Sequence, residues 1–157
     1  MKKLLTIIAF SFALASGVNS AEPTITNEKA IEKLYEFFRL LDIQIYEKEN
    51  LSEIVTTDFR IFEVGNDFNL DSFDSFISGA SETISETTWD LSNFVVSLDD
   101  NSAHISYFNN GAFKTKQNEI IRYYWMESAY MVLDGEELKL KFLQSDVVSE
   151  VTEQLER

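Results

Sequence analysis

Two carboxylates draw attention because each interrupts an apolar run: Glu63 in Asp58-Phe-Arg-Ile-Phe-Glu-Val64, and Glu127 midway between Glu119 and Leu133. A carboxyl group held in an apolar cavity resists ionisation, and a raised pKa lets it work as a general acid or base near neutrality. A rim charge, or an ion pair with Arg60 or Arg122, is the plainer account of either residue. The single histidine, His104, sits in a strand beside Ala103 and Ile105; one imidazole with dispersed carboxylates makes no metal site. The sequence has no cysteine, no serine in a glycine elbow and no phosphate-cradling glycine loop. Metal, nucleotide and hydrolase chemistry are therefore not expected, and no cofactor is.

The elements that must position these residues are strands for the most part. Glu119–Leu133 is a fifteen-residue apolar run, two to three times the usual strand length of about 5–6 residues, so it belongs at the centre of a curved sheet. Asp134-Gly135 joins it to Leu138–Gln144, a strong hairpin signal because glycine tolerates positive φ. Trp89–Leu98 and Ala103–Phe113 read as two more strands, the second broken or bulged at Asn109-Asn110-Gly111. Asp58–Val64 alternates like a strand and stops at Gly65. Ser81–Thr88 shows no periodicity and reads as a loop, and the tail from Ser149 is expected to fray.

Before these strands the spacing of Ile31, Leu34, Phe38, Leu41 and Ile45 predicts one amphipathic helix over Glu28–Glu47, capped by Thr26 or Asn27. A short helix follows near Leu51–Val55, and a third starts at Asn69 or Asp71 and ends at Gly79. Helices grouped ahead of an antiparallel meander imply an α+β fold with the helices on one face of the sheet. A strongly twisted sheet around a long helix leaves a conical cavity at one end.

The chain also carries an address. Lys2 and Lys3, the apolar run Leu4–Ala15 and the small residues Val18-Asn19-Ser20 predict a signal peptide over 1–21, cleaved beside Ala21. A run of that length falls short of the roughly 20 residues needed to span a bilayer. The expectation is a periplasmic or secreted protein, off the membrane after cleavage, with a single domain over 22–157 and a core at 28–148. Without Lys2 and Lys3, 11 basic residues face 27 acidic ones, a net charge of −16. Such a field repels nucleic acid and anionic membranes; cationic ligands or partners remain compatible with it. Thirteen Phe, six Tyr and two Trp supply a core without disulfides.

Two segments, Thr57-Asp-Phe-Arg-Ile-Phe-Glu-Val-Gly65 and Glu127 through Ser145, resemble the nuclear transport factor 2-like superfamily, which includes SnoaL-like cyclases and ketosteroid isomerase. The resemblance runs from Ile31 to Val148 and implies a cone-shaped α+β barrel, with a long N-terminal helix and two short ones on a strongly curved sheet. It also implies a pocket at the interior face and a symmetric homodimer formed through the exposed, aromatic face of the sheet. Strand parity, with Lys139 and Lys141 facing solvent, turns Leu138, Leu140, Phe142 and Gln144 toward that interior. Gln144, Phe142, Trp125, Tyr107 and Glu63 are then the expected contacts to a small apolar ligand, with Glu63 or Glu127 as the candidate catalytic group. Gln144 stands where the superfamily commonly has a histidine, which favours a non-catalytic binding or accessory protein over an isomerase-like enzyme acting on an apolar carbonyl compound.

Overall fold

The computed structural model describes residues 25–155; the expected signal peptide and its cleavage site lie outside the described residues. The element order is α1 (Asn27–Leu40), α2 (Lys48–Ile54), β1 (Val55–Glu63), β2 (Asn66–Phe68), α3 (Leu70–Ser81), β3 (Ile84–Leu98), β4 (Ser102–Thr115), β5 (Glu119–Asp134) and β6 (Glu137–Gln154). The six strands form one curled, unclosed sheet in the order β2-β1-β6-β5-β4-β3. The long hairpin is central, as its length requires. All pairings are antiparallel except β1 with β6, which is parallel.

α1 is capped by Thr26, whose side chain accepts from the Lys29 amide at 3.2 Å, and Ile25 packs into the core beneath it. Its buried face is Ala30, Leu34, Phe37, Phe38 and Leu40. Complete burial of a side chain such as Leu34 or Phe37 contributes about 1.5–3 kcal/mol. The helix ends at Leu40 rather than at Glu47. Asp42 takes over the backbone there: its carboxylate accepts from the Gln44 amide at 3.0 Å and from the Thr87 hydroxyl at 3.3 Å. The Thr87 hydroxyl in turn accepts from the Ile43 amide at 3.1 Å. A short polar side chain that bonds backbone two residues on competes with helix and wins here.

Other boundaries also differ from the sequence expectation. Ile84–Thr88 is strand, paired with β4 from Ile84↔Thr115 to Thr88↔Ala112. Its Ser and Thr residues hid a strand that faces solvent on one side. β4 runs unbroken through Asn109-Asn110-Gly111, and β6 continues past Val148 to Gln154 because β5 pairs it to the end. The most consequential departure lies inside β6. Tyr130 pairs with Phe142 but Met131 pairs with Leu140, so Lys141 is an extra residue, a β-bulge. A one-residue insertion reverses facing. Leu140, Leu143 and Ser145 are buried, while Phe142 and Gln144 point outward. Lys141 itself swings out to an ion pair with Asp58.

Two tight turns matter for the site. At Gly135-Glu136 only Gly135 has positive φ (67°), and the turn closes on the pair Asp134↔Glu137. At Val64-Gly65 both residues do (49° and 73°), as a type I′ turn demands, and the turn closes on Glu63↔Asn66. Valine is β-branched and strained in that region, which asparagine and glycine enter at lower cost. Since Val64 is exposed, Val64→Asn is expected to raise stability by about 1 kcal/mol. Urea unfolding measures it, and a loss of stability would mean that Val64 contributes contacts outweighing its backbone strain.

Candidate functional site

The inner face of the sheet carries Ala103, Ile105, Tyr107, Asn109, Gly111 and Phe113 on β4, opposite Tyr123, Trp125, Glu127, Ala129 and Met131 on β5. α1 covers the narrow half of this face. Over the wide half lies a cavity of about 290 Å³. Its walls are Phe37, Phe38 and Leu41 from α1, Phe73, Phe76, Ile77 and Ala80 from α3, and Trp89, Phe113, Tyr123 and Trp125 from the sheet. The four sheet aromatics touch one another: Trp89 and Phe113 meet edge to face at 5.2 Å, and Tyr123 stacks on Trp125 at 4.9 Å.

Gly111 lets Trp125 lie against the strand. A Cβ there would stand 2.6 Å from Trp125 Cζ3 and 3.0 Å from Phe113 Cε2. Gly111→Ala is therefore expected to displace the indole, lower stability by about 1–3 kcal/mol and shift the tryptophan fluorescence. Unchanged emission and melting temperature would show that the indole moves aside freely.

Both singled-out carboxylates line the cavity. Glu127 is 7% exposed and is held from two sides. The Ser145 hydroxyl donates to Oε1 at 2.8 Å and the Asn109 amide to Oε2 at 3.1 Å. Ser145 can do so only because the Lys141 bulge turns it inward. Tyr107, paired with Glu127 across β4 and β5, is buried beside it, though its hydroxyl is without a hydrogen-bond partner of good geometry. Burial raises the Glu127 pKa while the Ser145, Tyr107 and Asn109 dipoles pull it back. Glu63, at the last position of β1, makes no hydrogen bond among those described. Burial, followed by the repulsion of Glu127, pushes its pKa up to about 7. The Ser145 and Asn109 donors favour the charged form of Glu127, and that charge opposes ionisation of Glu63.

Arg60 and Arg122, the cations that could have neutralised this pair, are engaged elsewhere. Arg60 pairs with Asp67 across the β1–β2 hairpin, and Arg122 with Glu153 at 3.4 Å. No Lys, Arg or His is among the residues lining the cavity. His104 is exposed on the outer face. Among the described residues no group of three or more His, Asp or Glu is arranged to hold a metal, and no helix is long and apolar enough to cross a membrane.

Of the residues expected from the sequence, Glu63, Glu127 and Trp125 line the cavity and Tyr107 stands behind Glu127. Phe142 and Gln144 do not reach it. The bulge places Phe142 against Phe62 on the outside at 5.1 Å and leaves the Gln144 side chain exposed beside the Ser145 carbonyl. Asn109 and Ser145 were missed. Asn109 continues the odd-numbered alternation from Ala103 to Phe113, a signal masked by reading Asn109-Asn110-Gly111 as a break. Ser145 carries no such signal without knowledge of the bulge.

No family model matches the chain, and no curated protein does. Solved structures do. A nuclear transport factor 2-like superfamily protein from Salmonella enterica serovar Typhimurium superposes with a TM-score of 0.68 at 9% identity, over 78% of this chain and 90% of its own. Hexachlorocyclohexane dehydrochlorinase LinA-type3 from Novosphingobium barchaimii gives 0.66 at 10% identity, over 80% and 88%. A type 2 hexachlorocyclohexane dehydrochlorinase gives 0.69 at 9%, over 80% and 86%. The chain has the nuclear transport factor 2-like fold, a cone of helices and curled sheet whose solved examples include enzymes.

The raised Glu63 pKa fixes a pH dependence. Its folded value, about 7, lies above the ordinary 4.5. Its contribution to stability is therefore full below 4.5 and is lost as pH rises through 7. Partial solvent access keeps the effect to about 1–3 kcal/mol. Melting temperatures of the wild type and Glu63→Gln, compared between about pH 5 and about pH 8, should diverge, with the variant gaining relative stability at the higher pH. Parallel curves would place Glu63 in water.

Proposed function

We propose that this is an exported small-molecule-binding protein whose cone-shaped cavity holds a mostly apolar ligand, with Glu63 and Glu127 as its polar contacts. The observation that carries the reading is a cavity of about 290 Å³ walled by aromatic and aliphatic side chains, with Glu63 and Glu127 as the carboxylates among its described lining residues. Ligand sites are commonly apolar concavities with a few placed polar groups. Neighbours of the same fold named for hexachlorocyclohexane support a small apolar partner. Export to the periplasm or medium rests on the leader at residues 1–21.

Association into a homodimer completes the reading. The outer face of the sheet carries Phe108 and Tyr124, in edge contact at 5.7 Å, with Met126, Tyr130, Phe142 and Phe62 beside them. Apolar patches of this kind are normally covered.

One observation favours a second reading, an enzyme that moves a proton beside a carbonyl group. Glu63 makes no hydrogen bond among the described residues, and burial pushes its pKa up to about 7, so it can take and return a proton near neutrality. In that case Glu63→Gln abolishes turnover while leaving ligand affinity largely intact. In a pure binding protein it alters affinity alone.

Native mass spectrometry of the full chain expressed with its leader and recovered from a periplasmic extract tests the main reading. A chain beginning near Ala21, in dimers, with an apolar small molecule released on denaturation is the expected result. Ligand-free protein in every preparation would argue against a resident ligand, and an uncleaved, membrane-retained chain would refute export.

A further inference from the structure

We infer that the cavity selects an organic cation, an ammonium group carried on an apolar body. This deepens the binding function proposed above and rests on it. The cavity contains two carboxylates and no basic side chain. Glu127 is stabilised in its ionised form by the Ser145 and Asn109 donors, 2.8 and 3.1 Å away. A charge fixed in an apolar wall without a counter-ion is costly. The nearest arginines along the flanking strands cannot supply one, since Arg60 and Arg122 are paired with Asp67 and Glu153. Among the described residues no cation faces the pair, so a bound ammonium would supply the missing counter-charge.

The remaining walls suit such a guest. Trp89, Phe113, Tyr123 and Trp125 form one contiguous aromatic cluster against the cavity. Aromatic faces attract ammonium groups through their quadrupole while their hydrocarbon packs an apolar body. Anions are disfavoured twice, by the two carboxylates and by the chain's overall charge of −14. A neutral ligand would fill the space but leave the Glu127 charge uncompensated. An ammonium also relieves Glu63, whose ionisation the Glu127 charge opposes. The other titratable groups facing the pair are phenols, Tyr107 and Tyr123, which carry no positive charge in any state.

The chain's own fluorescence reads the result, because its two tryptophans, Trp89 and Trp125, both line the cavity. Purified full-length mature protein is titrated with phenyltrimethylammonium and with tert-butylbenzene, a neutral molecule of the same shape, at about pH 8, where Glu63 is ionised. The expected result is about tenfold tighter binding of the cation, a preference that shrinks about fivefold or more in Glu63→Gln. Equal affinities, or tighter binding of the neutral probe, would overturn the inference while leaving the binding cavity in place. A preference unchanged in Glu63→Gln would overturn it too, since the cavity carboxylate is its basis. Silence of both probes would overturn the binding function and the inference together.

Discussion

A fourteen-residue helix cannot fill a cone whose wall includes a sixteen-residue strand. At 1.5 Å per residue α1 is about 21 Å long, whereas β5 extends about 50 Å at its own rise. The sheet curls around α1 and buries Leu34 and Phe37 completely, but the remainder of the inner face has no helix to pack on. α3 closes part of it with Phe73, Phe76, Ile77 and Ala80, and what is left is the cavity. The Asp42 turn sets this geometry by ending α1 at the level of Thr87. A helix continued to Glu47 would send its apolar face onward into the space where a ligand can lie.

The second determinant is how β6 keeps a carboxylate inside an apolar wall. Glu127 sits opposite Ser145 only because Lys141 is bulged out of the ladder. Regular pairing would have brought Gln144 to that face and turned Ser145 outward. The bulge thus exchanges an amide for a hydroxyl beside Glu127 and sends a lysine away to Asp58. The first consequence is the one the site uses, because the wall receives a short hydroxyl donor for the carboxylate.

Much of this was legible in the sequence where local chemistry is decisive. The length and alternation of Glu119–Leu133 placed it centrally, Gly135 marked its turn, Thr26 capped α1, and two motifs carried the fold resemblance. Three kinds of feature were hidden. Bulges insert residues without changing composition, so Phe142 and Gln144 were assigned the wrong face. The strand at Ile84–Thr88 depends on its β4 partner rather than on its own Ser- and Thr-rich pattern. The end of α1 depends on Thr87, forty-five positions beyond Asp42, a tertiary contact that overrides an unbroken helical stripe. Glu63 and Glu127 were identifiable as interruptions of apolar runs, but their shared cavity required knowledge of which faces meet.

The site also explains where the chain tolerates poor local choices. Val64 occupies a positive-φ turn position that suits asparagine, immediately after Glu63 and at the edge of the cavity. Glu63 is desolvated and makes no hydrogen bond among the described residues, and Glu127 places a carboxyl in a wall of aromatic rings, where burial raises its pKa. Each of these lowers stability, yet they cluster on one side of the molecule, while the opposite end of the cone, around Leu34, Ile105, Met131 and Leu140, is fully buried and apolar. Strain and unpaired charge gathered at a cavity, and backed by a conventional core, are the observations on which the proposed binding role rests.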